Sequence, residues 1–349
     1  MHEGKDAMNI LKKIRKNKKA YAVRFALKSL FAPEYADDIY AIKHDRNELT
    51  IRNYGTENKG RILYYLYMND SSGGFFALLR WTCTALLYAD NRGFIPYVEY
   101  GHDCKYYDKE NIECDNPFEY FFTPVSELSK KDFAHAFNVV NFDAKHLYEV
   151  ATASSHQLEP EIVSEFAGIW RRYIHINDYT TEKLTKDISS LFKDKKKTLA
   201  VHFRGTDYKE NYKNHPIAVK LEEEIEIAKQ AIDKEGFQRI FIASDEEEAV
   251  KRFKDEFGDI VVYYSDTIRS ADGKAVHDTI HNRQNDRYLL GYEVLRDAWT
   301  MSQCDGLVAG VSNVSFFAMI MKEAFGKTFE SCNIIYHGKN SNGKKYIAP

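Results

Sequence analysis

Several common devices are missing from this chain of 349 residues. Its five cysteines (Cys83, Cys104, Cys114, Cys304, Cys332) are odd in number, scattered and without a C-x-x-C pair. That argues against a disulfide framework or a zinc site, and for a reducing compartment. No stretch of about 18 apolar residues occurs, so no membrane span is expected, and the first residues lack the apolar region of a signal peptide. A cytoplasmic location is the expectation. The net charge of −3 gives no global electrostatic case for binding nucleic acid. No G-x-x-x-x-G-K-[ST] or G-x-S-x-G motif is present, which argues against a P-loop NTPase or an α/β-hydrolase. No D-x-D triplet occurs, the pair that metal-dependent sugar transferases use to hold a divalent ion on a diphosphate.

The length exceeds what one core usually holds, so two domains are expected. Composition is that of a globular protein, 44% hydrophobic and 29% charged, with 24 Tyr and 22 Phe. Residues 1–30 stand apart: nine Lys or Arg face only Glu3 and Asp6. Ile10, Leu11, Ile14, Tyr21, Val23, Leu27 and Leu30 can line an apolar face beside those charges. Two readings stay open, a solvated basic helix packed on the body or a helix lying on the inner face of an anionic membrane.

Ile62–Tyr67 is an apolar run of strand length. It leads through Gly73-Gly74 into a helical pattern at Phe76, Leu79, Leu86 and Leu87, the plan of a nucleotide-binding βα unit. Residues 94–98 read as the next strand and residues 127–190 as mostly helical, with Phe166, Ile169, Trp170 and Ile174 as a packing stripe. A lysine run at 193–197 marks a hinge. Beyond it, strands at 199–203, 239–243, 260–264 and 306–310 alternate with helices at about 219–234, 246–257, 288–302 and 312–323. This pattern indicates a parallel sheet covered by helices on both faces. The expected organisation is a basic N-terminal extension (1–58), a first Rossmann-like domain (59–195) and a second (196–349).

In such sheets ligands sit at the carboxyl ends of the strands, where Arg204, Asp245 and Ser312-Asn313 fall. A guanidinium there suits paired hydrogen bonds to a phosphate. Ser312, Asn313 and Ser315 lie at a helix N-terminus, which favours an anion or is simply capped. Asp245 reads first as a cap of the following helix. His202, in an apolar strand, reads as a satisfied core histidine. Asp297, in an apolar helix, either pairs with Arg287 or Arg296 or accepts hydrogen bonds from a guanine edge.

His202-Phe203-Arg204-Gly205-Thr206-Asp207, followed by His215-Pro216-Ile217, resembles the H-V-R-R-T-D…H-P-I block of the α1,6-fucosyltransferases. Ile242–Asp245, His281-Asn282-Arg283, Ser302–Val308 and Ser312-Asn313-Val314 are similar to further blocks of that family, in the same order. Over residues 1–198 only Gly73-Gly74 and Leu86–Ala89 are loosely similar.

The resemblance implies a GT-B fold, two Rossmann-like α/β domains with parallel sheets facing across a cleft. It implies inverting transfer of fucose from GDP-β-L-fucose to a glycan hydroxyl without a metal or other cofactor. Position by position, it implies Arg204 on the β-phosphate, His202 and Asp297 on the guanine, Ser312 or Asn313 on phosphate, and Gly73 and Gly74 in the first-domain loop. Thr206, Asp245 and Arg283 join the donor site. The family's base is a glutamate shortly before H-P-I, which implies Glu210, with Asp207 in reserve. Where the family carries a second arginine this chain has Gly205, and Arg283 is the expected substitute.

The chain lacks the anchor and extra modules of the animal enzymes, so a bacterial-type cytoplasmic transferase building a surface polysaccharide or glycolipid is expected. The alternatives are a transferase of another nucleotide-sugar, a protein O-fucosyltransferase, and a non-catalytic nucleotide-sugar or glycan-binding protein.

Overall fold

Parallel strands must be joined by crossovers, and the sequence supplies apolar strands separated by amphipathic helices. In the computed structural model this produces two parallel sheets. The structure describes residues 49–70, 73–110, 114–150, 158–206, 215–273, 276, 279 and 281–341. The basic segment 1–30 therefore lies outside the described residues.

The first sheet has three strands, β1 (Leu63–Met68), β2 (Ile95–Tyr100) and β3 (Val139–Asn141), in the order β2-β1-β3. Helix α1 (Phe75–Asp90) is the crossover between β1 and β2. Short helices α2 (Lys130–Phe133) and α3 (Lys145–Val150) follow, then α4 (Pro160–Tyr173) and α5 (Asp178–Leu191). The strand β3 was not expected within a segment read as helical. Three residues, Val-Val-Asn, are too short to show any periodicity, and pairing with β1 is what makes them a strand.

The second sheet has five strands: β4 (Thr198–Phe203), β5 (Arg239–Ser244), β6 (Val261–Val262), β7 (Gly306–Gly310) and β8 (Ser331–Ile335). Their order is β6-β5-β4-β7-β8. Helices α6 (Leu221–Glu235), α7 (Glu247–Phe257), α8 (Asp286–Gln303) and α9 (Asn313–Ala324) connect them. β6 is shorter than the expected 260–264, with two paired residues against β5. β8, whose Ser-Cys-Asn opening hides the pattern, was not anticipated.

Every residue of β4 and β5 is buried, as a central parallel strand covered on both faces must be. The order reverses at β4, which pairs with β5 on one side and β7 on the other. Such a reversal splays the two following loops apart and opens a crevice at the strands' carboxyl ends. The two-sheet parallel α/β architecture expected from the sequence is therefore present.

Aromatic packing joins helices that border both sheets. Phe317 of α9 stacks on Phe76 of α1 at 4.9 Å and meets Trp170 of α4 at 6.0 Å, while Phe166 meets Phe316 at 5.2 Å. The stripe Phe166, Ile169, Trp170 and Ile174 is buried. Phe317 has no exposed surface, so Phe317→Ala should destabilise the protein by about 3–5 kcal/mol. Chemical denaturation checks this, and a loss below about 1 kcal/mol would contradict a shared core across the helices.

Candidate functional site

A cavity of about 380 Å³ opens at the β4 reversal, within the range of small-ligand pockets. One wall comes from Gly73, Gly74 and α1, and the other from the loops after β4, β5 and β7 together with α8. Arg204, His202, Asp245, Asp297, Asn313, Gly73 and Gly74 all line it. These expected residues, drawn from positions 73 to 313, are thus brought to one place.

The loop after β4 is held by a carboxylate. Asp245 Oδ1 accepts from the Gly205 N–H at 3.0 Å, and Oδ2 accepts from the Thr206 hydroxyl at 2.7 Å. The capping role expected for Asp245 is corrected: Glu246 is the N-cap residue of α7, and both oxygens of Asp245 are turned to the neighbouring strand end. Thr206 is buried beside it and does not line the cavity. A Cβ at Gly205 would overlap the carboxyl group of Glu246. Glycine therefore fits a close approach, and any larger side chain there requires Glu246 to move.

His202 is 94% buried, because its exposure is only 6%. Its Nδ1 atom has no hydrogen-bond partner among the described residues, so the reading as a satisfied core histidine is corrected. Burial lowers its pKa to about 3, with the Arg204 charge acting in the same direction. The ring is accordingly neutral at any physiological pH, with one nitrogen a donor and the other an acceptor.

Asp297 is also buried. Pairing with Arg296 is corrected by the structure. Arg296 gives its guanidinium to Asp266 at 2.8 and 3.0 Å and to Asp187 at 2.9 Å. Burial raises the Asp297 pKa to about 7, against the opposing attraction of Arg296 and Arg269.

Two helices begin at the cavity. Ser312 is the N-cap of α9, its Oγ accepting from the Ser315 N–H at 3.0 Å while Ser315 Oγ accepts from the Ser312 N–H. Of the pair Ser312 and Asn313, it is Asn313 that reaches the wall. Gly74 is the N-cap of α1, and the Phe75 N–H donates to the Tyr106 hydroxyl at 2.6 Å. A Cβ on Gly74 would meet nothing within 4 Å.

Arg283 does not line the cavity. Its guanidinium binds Asp286 at 2.8 Å and Glu293 at 2.5 and 3.2 Å, so its charge serves the entry to α8. Asp207 and Glu210 lie outside the described residues. Sequence reasoning missed Arg80, which lines the cavity from α1. An arginine among Leu78, Leu79, Cys83 and Leu86 was the available signal, because a cation inside an apolar helix face needs a reason to be there.

The Asp297 carboxyl has a raised pKa in the folded state, so folding favours its neutral form. Its contribution is greatest below the unfolded value near 4 and is lost as pH rises through about 7. Asp297→Asn should therefore gain stability relative to the unsubstituted protein between pH 4 and 8, by roughly 3 kcal/mol at the upper end. Thermal unfolding across that range checks this. A difference independent of pH would contradict burial as the cause.

No protein-family model matches the chain, and no curated protein matches it. Among solved structures it is similar to the NodZ alpha-1,6-fucosyltransferase soaked with GDP-fucose, at a TM-score of 0.44 and 12% identity over 74% of this chain and 92% of that one. It is similar to the fucosyltransferase NodZ from Bradyrhizobium, at 0.42 and 12% over 74% and 92%. It is similar also to POFUT1 in complex with GDP-fucose, at 0.48 and 11% over 80% of this chain and 99% of that one.

Proposed function

We propose that the protein is an inverting, metal-independent glycosyltransferase that moves fucose from GDP-β-L-fucose to a glycan hydroxyl. The observation that carries this reading is that a neutral buried His202 with an open nitrogen and a buried Asp297 line the same cavity. A buried polar atom left without a partner, as His202 Nδ1 is, costs about 1–3 kcal/mol, and a ligand that supplies the partner recovers that cost. A guanine edge has the matching chemistry, with N–H donors for a carboxylate and further groups for an imidazole. The ordered sequence blocks from residue 202 to residue 314 support the same donor.

In this reading Arg204 holds the β-phosphate and neutralises the charge that develops as the donor's C1–O bond breaks. The N-terminus of α9, entered through Asn313, adds a second positive pole. Asp245 keeps the Arg204 loop in register through Gly205 and Thr206. Glu210 takes the proton of the acceptor hydroxyl as the new C1–O bond forms on the opposite face, with Asp207 the alternative base. GDP leaves with the electron pair of the broken bond. Gly73 and Gly74 complete the donor site from the side of the first sheet, and the acceptor binds on that side. The same reading places the enzyme in the cytoplasm, building a bacterial surface polysaccharide or glycolipid, with residues 1–30 touching the inner membrane face. No helix among the described residues is long and apolar enough to cross a membrane.

Thermal shift against GDP, UDP, CMP and their sugars tests the donor, and stabilisation by GDP and GDP-fucose is expected. A shift with UDP and none with GDP would overturn it. Guanine must bind the ionised Asp297, so GDP binding should release a proton at pH 6.5. Calorimetry in two buffers of different ionisation enthalpy reads that proton, and Asp297→Asn should abolish its release.

A further inference from the structure

We infer that Glu293, one helical turn before Asp297 on the cavity face of α8, binds a ribose hydroxyl of the nucleotide, and that Arg283 is the positioning residue that orients its carboxylate. This rests on the reading of the cavity as a nucleoside-diphosphate-sugar site.

Leu290, Glu293, Val294 and Asp297 all line the cavity. Their spacing of three, four and seven residues is the repeat of one helix face, so a single stripe of α8 forms this part of the wall. Glu293 is 6% exposed and Asp297 8%. Residues four apart on a helix have Cβ atoms about 5–6 Å apart, which makes these two carboxyl-bearing residues neighbours along the stripe.

Arg283 holds the Glu293 carboxylate with a two-pronged contact. Its Nη1 donates to Oε1 at 2.5 Å and its Nη2 to Oε2 at 3.2 Å. Arg283 is itself anchored, Nε donating to Asp286 Oδ1 at 2.8 Å. Paired contacts of this kind fix the plane of a carboxylate. A carboxylate offers about four acceptor sites and no donor, so the arginine leaves Glu293 acceptor capacity for a hydroxyl.

Charge decides which part of a nucleotide this stripe suits. Two carboxyl groups side by side repel a diphosphate, so α8 matches the uncharged nucleoside. In the proposed donor complex Asp297 takes the guanine edge. Guanosine carries its ribose hydroxyls beside that edge, at a spacing of the same order as that between adjacent helical turns. His202, 6% exposed and with Nδ1 unpartnered, lines the same cavity and marks it independently as built for a polar ligand. A purely structural Arg283–Glu293 pair, pinning the turn before α8, would share the burial and the ion pair. It would not tell a ribonucleotide from its deoxy forms.

Calorimetric titration of the full chain with GDP, 2′-deoxy-GDP and 3′-deoxy-GDP separates the two. The unsubstituted protein should bind GDP about 10- to 100-fold more tightly than at least one deoxy form, the worth of a hydrogen bond to a charged group. Glu293→Ala should bring that form within about twofold of GDP. Glu293→Gln, which keeps one acceptor oxygen, should fall between and serves if the alanine variant does not fold. Arg283→Met should lower the same preference, whereas loss of a merely structural brace would weaken all three nucleotides alike. Equal binding of all three by the unsubstituted protein, or equal weakening of all three by the Glu293 variants, would overturn the inference. So would a Glu293 effect seen with GDP-fucose and absent with GDP, because the carboxylate would then serve the transferred sugar. If the protein binds UDP but not GDP, and Glu293→Ala erases a preference for UDP over its deoxy forms, the guanine reading falls while the role of Glu293 stands. If it binds no nucleoside diphosphate, both fall.

Discussion

Everything in the cavity hangs on the pairing of β4 between β5 and β7. His202 lies opposite Ala243 on one side and Ala309 on the other. That single register sets Arg204, Asp245 and Asn313 at the ends of three adjacent strands. Because the chain order reverses at β4, the loops that follow β4 and β7 diverge and leave space between them. Complete burial of β4 and β5 makes the register costly to shift, since a slip would move apolar side chains off both covering layers.

Upon that frame the protein places buried polar groups against the cavity. His202 presents an open ring nitrogen, and Asp297 sits in surroundings that favour its neutral form. Arg80 is kept away from water over an aromatic ring. Other buried charges in the same region are paired within the protein, Arg296 with Asp187 and Asp266 through its two Nη atoms, and Arg283 with Asp286 and Glu293. Those pairs tie α8 to its neighbours. Asp245 belongs to neither set: it faces the cavity, yet its oxygens hold the Gly205-Thr206 turn.

The second sheet was legible in the sequence because four of its strands are short runs dominated by Val, Ile, Leu, Phe or Ala, separated by amphipathic helical stretches. β3 and β8 were not, since three residues carry no period and Ser-Cys-Asn carries no apolar one. At the site, strand-end position was enough to locate Arg204 and Asn313. It was not enough to say what a side chain does once there. Asp245 reads as a helix cap when only its own helix is considered, and becomes a cross-strand tie when β4 is its neighbour. Arg283 looked like a substitute for the cation missing at Gly205, but two carboxylates near α8 hold it. Arg80 escaped notice because only the packing of α1 against α9 brings it to the cavity.

The central claim is that this cavity holds GDP. A crystal structure of the protein soaked with GDP tests it most directly. The account predicts the guanine edge within hydrogen-bond distance of Asp297 and His202, with the diphosphate between Arg204 and the start of α9. GDP bound elsewhere, or bound here with its base turned away from Asp297, would contradict it.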